Sequence, residues 1–189
     1  MFGSAPPAFL VACVAALAVA PCVANADATA DRSGDLAAFV HGGLAAAPNN
    51  FSSVRGSRID TSKFSALVNF GPTFSICTVD DDTAVAMENG GISAWSLDCD
   101  SQPIDAPPAD LLAQLKSEIS ASIPASFVPT TFQDADGVPH VHWKGPSGLA
   151  IDAYAWRTAS DGPSLFRVAA IHLIGMPPPP SEALPPKRS

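Results

Sequence analysis

The sequence predicts an α+β fold: an antiparallel sheet of about five or six strands, two helices packed on one face of it, and one disulfide. Three observations carry this. Two stretches repeat apolar residues at helical spacing, several runs alternate apolar with polar residues between turn signals, and two cysteines flank a hairpin.

Taken in order, Ser33 is placed to cap a first helix, because Leu36, Phe39, Val40, Leu44 and Ala47 then recur on one side until Pro48 stops it. After a polar stretch, Phe64, Ala66, Val68 and Phe70 alternate with Ser65, Leu67 and Asn69 up to Gly71-Pro72, the pattern of a half-buried strand. Phe74, Ile76 and Thr78 continue the alternation, Asp80, Asp81 and Asp82 interrupt it, and 83–87 resume it. Asn89-Gly90 is a hairpin signal leading into a strand over 92–99. A strict register from that turn leaves Cys77 and Cys99 about three residues out of step, so a bulge is expected at the Asp run.

Pro107 and Pro108 suit the first turn of a second helix, Asp110 favours its N-terminal dipole, and Leu112, Leu115, Ile119 and Ile123 form one apolar stripe ending at Pro124. The remainder reads as strands over 126–133, 138–144, 149–158 and 165–174. Turns at 134–137 and 145–148 separate the first three, so three consecutive hairpins are implied.

Residues 1–26 contain no Asp, Glu, Lys or Arg, and 8–20 are apolar throughout. An apolar segment, a helix-breaking Pro21 and the small-x-small pattern Ala24-Asn25-Ala26 describe a signal peptide cleaved after Ala26, although its n-region lacks the usual basic residue. An uncleaved anchor and lipidation at Cys13 are the competing readings. The Ala-rich composition and the short apolar run before Cys13 favour cleavage. The expected organisation is a signal peptide at 1–26, one domain at 27–175, and a Pro-rich disordered tail at 176–189, with the product periplasmic or secreted.

Cleavage removes Cys13 and Cys22 and leaves Cys77 and Cys99, which an oxidising compartment would join. Closing that loop of roughly 20 residues would stabilise the fold by about 3 kcal/mol. The net charge of −8 argues against nucleic acid and anionic membrane surfaces and permits a basic protein partner.

His140 and His142 lie two apart in a strand and therefore on one side of the sheet, which is how a sheet offers two imidazoles to a metal. Lys144 shares that side, Val141 and Trp143 take the other, and His172 or Asp152 is the possible third ligand. Asp134-Ala135-Asp136-Gly137 resembles the opening of a calcium loop but lacks its later carboxylates, so a turn is expected. Asp80 to Asp82 are read as a solvated run. Arg55, Arg58, Arg157 and Arg167 are scattered, and Trp95, Trp143, Trp156 and Tyr154 suit core or cross-strand positions. Nucleophile elbows, Gly-rich phosphate loops and paired catalytic glutamates are absent, and no cofactor is expected. These observations lead to an exported, non-catalytic protein that acts on another protein as an inhibitor, immunity or envelope accessory factor. The alternative is a metal-binding protein or metal-assisted hydrolase using His140 and His142.

Overall fold

The structure is a computed structural model that describes residues 24–83 and 93–174. The apolar segment before Ala24, the Asn89-Gly90 turn and the Pro-rich tail lie outside the described residues. Among the described residues the chain forms helix α1 (Ala24–Ala46), strands β1 (Arg55–Arg58), β2 (Lys63–Ala66), β3 (Phe74–Asp81) and β4 (Ser93–Ser101), helix α2 (Pro108–Ser122), and strands β5 (Val128–Gln133), β6 (Pro139–Lys144), β7 (Leu149–Arg157) and β8 (Ser164–Ile174).

All eight strands belong to one antiparallel sheet in the order β1-β2-β3-β4-β8-β7-β6-β5. The expected class is correct and the strand number is not: eight strands replace five or six. Strand β1 reads Arg-Gly-Ser-Arg and has no apolar residue, so nothing in its pattern announces a strand. It holds its place at the sheet edge through pairing with β2. Among the described residues each half is a helix followed by four strands. The last strands of the two halves, β4 and β8, pair antiparallel at the centre, as a two-fold relation between the halves would require.

Helix α1 is already formed at Ala24, the first described residue, so Ser33 stands inside it rather than at its cap. The preceding residues include Ala24, Ala26, Ala28 and Ala30 with no Pro or Gly, and such a stretch continues a helix instead of starting one. Arg32 locks this first part onto α2. Its Nη2 lies 2.6 Å from Glu118 Oε1 and its Nε 3.1 Å from Oε2, and Nη2 also donates to Gln114. Further along, Gly43 lets the helix approach the sheet, since a Cβ there would stand 2.7 Å from the Ala170 methyl. Leu36, Phe39 and Val40 are fully buried, as the helical spacing predicts.

The strand expected over 64–70 ends at Ala66. Asn69 accepts a hydrogen bond from the Gly71 N–H, and Asp35 of α1 accepts one from Thr73, so side chains close a loop where the ladder would have run on. Phe70 still reaches the core, edge-on to Phe39 at 5.4 Å. The aromatic contacts continue from Phe39 to Phe74 and from Phe74 to Phe166, linking α1 to β3 and β8.

Of the Asp run, Asp80 and Asp81 continue their strand and Asp82 lies past its end, and 84–92, over which most of the expected resumption falls, are outside the described residues. Asp80 and Asp81 belong to β3 and stand opposite Ser96 and Trp95, in step with Cys77 opposite Cys99. The register shift falls between Phe74 and Ile76 instead of at the Asp run. The carboxylates are accommodated because Asp80 meets Lys63 of β2 at 3.5 Å and accepts from Thr78 Oγ1. Cys77 and Cys99 form the disulfide, with Cα atoms 4.2 Å apart on directly opposed residues.

Helix α2 buries Leu111, Leu112, Leu115 and Ile119. Strands β5 to β8 follow as the three hairpins expected, and Asp134 Oδ1 accepts the N–H groups of Asp136 and Val138 in the first turn. Both helices cover one side of the sheet. Toward them point Val79, Leu97, Cys99, Val141, Trp143, Ile151, Ala153, Val168 and Ala170, all buried.

Candidate functional site

The residues between those core positions project from the opposite side of the sheet, which no described helix covers, because side chains alternate along every strand. This open side contains a groove of about 690 Å³. Lys63 of β2, Asp80 of β3, Ala94, Ser96 and Asp98 of β4, and Arg167, Ala169, Ile171 and Leu173 of β8 line it, together with Asp152 and Tyr154 of β7. It is a shallow trough open to solvent, a shape that suits an extended segment lying across the sheet better than an enclosed small molecule.

At the β3–β4 wall, Asp98 accepts from Ser96 Oγ at 2.7 Å. Burial is the main cause that pushes its carboxyl up, to about 7, and the neighbouring Asp80, hydrogen-bonded to it and of like charge, adds to the effect. Asp82 is raised in the same direction, first by burial and then by Asp80 and Asp81. On β8, Arg167 grips Asp100 with a two-pronged ion pair, Nε to Oδ1 at 2.6 Å and Nη2 to Oδ2 at 2.9 Å. That bond raises the arginine above its ordinary value. Burial raises the Tyr154 phenol.

The two histidines stand beside the groove and meet one carboxylate. His140 Nδ1 lies 2.7 Å from Asp152 Oδ1, and His142 Nδ1 lies 3.3 Å from Oδ2. Strand register brings them together: His142 is directly opposite Asp152, and His140 is opposite Tyr154. The His140 ring is stacked between Phe132 and Tyr154, with centroids 4.9 and 4.4 Å away, and its Nε2 faces Asp134 at 3.4 Å. Asp134 is held below the usual carboxylate range, chiefly by the Val138 N–H and further by His140.

Of the residues expected to converge as a metal centre, Asp152 therefore joins His140 and His142, and His172 does not. His172 lies on the helix-covered side of β8, where Nδ1 meets Asn50 Oδ1 at 3.0 Å. An even-numbered position in β8 faces the helices while an even-numbered position in β6 faces away, a relation that only strand register decides. Among the described residues, no group of three or more His, Cys, Asp or Glu side chains is arranged to hold a metal ion. Asp152 spends both oxygens on the imidazoles.

Sequence reasoning passed over Asp98 and treated Arg167 as one of four scattered arginines. The signal for Asp98 was present in Ser96-Leu97-Asp98-Cys99-Asp100, where strict alternation places the carboxylates opposite the buried Leu97 and Cys99. No family model matches the chain, and no curated protein or solved structure matches it either.

Proposed function

We propose that this is an exported, non-catalytic binding protein that acts on another protein through the open side of its sheet. The observation that carries the reading is the groove of about 690 Å³ on the side of the sheet that the helices leave uncovered. Concave, partly apolar surfaces with a few convergent polar groups are where proteins take up ligands. The charged groups nearby support holding over turnover: Arg167 is bonded to Asp100, Asp152 to the two histidines, and Asp98 to Ser96. Export is supported by the uncharged N-terminal segment and by the Cys77–Cys99 disulfide. An inhibitor, immunity or envelope accessory role fits such a surface.

A photo-crosslinking amino acid placed at Ile171, inside the groove, tests the reading against one placed at Lys116, on the exposed side of α2. In cells that export the protein, a discrete crosslinked species is expected from position 171 and none from position 116. Equal labelling from both positions, or none from 171, would refute the proposal.

A further inference from the structure

We propose that the groove receives a basic segment of the partner protein. A lysine or arginine stem would lie over Ala169, Ile171 and Leu173, and its cationic head would sit against Asp98, with Asp80 and Asp152 on either side. This rests on the protein-binding reading above and gives the partner a chemistry.

The groove matches a basic side chain in shape and in polarity together. Long basic side chains are apolar along the stem and charged at the tip. The β8 floor is apolar, and the walls on β3, β4 and β7 carry carboxylates, so the groove offers both parts in the right relation. Its volume exceeds what one side chain fills, which favours a stretch of chain over a free amine.

The groove is also complementary in charge to a basic segment. Among the described residues the lining contains two cationic side chains, and each already has a carboxylate partner: Lys63 stands 3.5 Å from Asp80, and Arg167 pairs with Asp100. Among the described residues Asp60, Asp82 and Asp98 then take part in no ion pair, in a protein of net charge −8. The upward displacement of the Asp82 and Asp98 carboxyls is what crowded, partly buried anions produce, and an incoming ammonium or guanidinium relieves it. A bare metal ion is disfavoured because the described donors do not converge on one point. Attraction of this kind also steers encounter with a basic partner.

The experiment is titration of the full-length exported protein with the peptide acetyl-tetralysine amide, followed by calorimetry and by NMR shifts of the Ala169 and Ile171 amides. Saturable binding is expected, with shifts confined to the groove. The double variant Asp80→Asn/Asp98→Asn should weaken it at least about tenfold while remaining folded by circular dichroism. Asp110→Asn removes one charge from the exposed side of α2 and should change affinity less than about twofold. Equal binding of the Nε-acetylated peptide, equal weakening by Asp110→Asn, or no saturable binding would overturn the proposal. Concentration-dependent self-association that occupies the groove, seen by sedimentation, would overturn it in favour of a second copy. If the crosslink from position 171 persists but tetralysine does not compete with it, the basic segment is refuted while the protein-binding reading stands.

Discussion

Trp143 donates its indole N–H to Ser120 Oγ across 3.0 Å, joining β6 to α2 at a ring that is itself fully buried. Trp143→Phe keeps most of the packing and is expected to cost about 1–2 kcal/mol, and Trp143→Ala about 3–5 kcal/mol, in urea denaturation. Because His140 and His142 point to the other side of the strand, the Phe variant should leave groove binding unchanged. Loss of binding with preserved stability would show that the two sides of the sheet are coupled.

Arg32 and Glu118 form the ion pair that holds α1 on α2, with side chains only 10% and 15% exposed. Glu118→Gln leaves the guanidinium without its counter-charge and should destabilise by about 2–4 kcal/mol. Combining it with Arg32→Met should restore much of the loss, because both desolvated charges are then gone. A double-mutant cycle measures this coupling. Additive losses would mean that the pair is not a working contact.

Asp98 makes stability depend on pH in a defined direction. Its folded-state value of about 7 lies above the ordinary 3.8, so the folded protein keeps a proton that the unfolded chain has already released. The group therefore costs nothing below about pH 4, its penalty grows as pH rises toward 7, and the penalty is complete above that. Asp98→Asn mimics the protonated form. It should raise stability at pH 8 by about 2 kcal/mol or more and leave it nearly unchanged at pH 4, as read from thermal melts at both values. An equal gain at both pH values would assign the effect to something other than ionisation.

Cys77 and Cys99 bridge directly opposed residues of β3 and β4. The double variant Cys77→Ser/Cys99→Ser should lose about 3 kcal/mol of stability, and reduction of the wild type should produce the same shift in denaturation midpoint. A midpoint that does not move on reduction would show that the bridge adds nothing to stability.

Intact mass spectrometry of the natively exported protein should give a chain starting at Asp27 that gains about two hydrogens on reduction. Such processing keeps Arg32 and its pairing with α2. A mass retaining the N-terminus, or carrying lipid on Cys13, would place the protein at the membrane.

The elements that were legible in the sequence are those whose burial repeats with the period of the element. Leu36, Phe39 and Val40 on α1, Leu112, Leu115 and Ile119 on α2, and Val141 and Trp143 on β6 announced themselves this way, and all are buried. Where main-chain pairing or a distant side chain supplies the stability, local pattern is silent. Strand β1 is polar throughout, the strand after Phe64 is cut short by hydrogen bonds that Asn69 and Asp35 accept, and Asp80 stays in its strand because Lys63 neutralises it and Thr78 donates to it.

The same division holds for the site. Alternation alone determined that His140 and His142 share one side of a strand and that Trp143 takes the other. Only the tertiary structure decided that Asp152 joins them and His172 does not, and that Asp80, Asp98 and Arg167 from three strands meet around one groove. The physical reason is that a strand's two-residue period orients side chains along its own length. Which strands become neighbours, and in what register, is set by long-range pairing and by the packing of two helices on the other side.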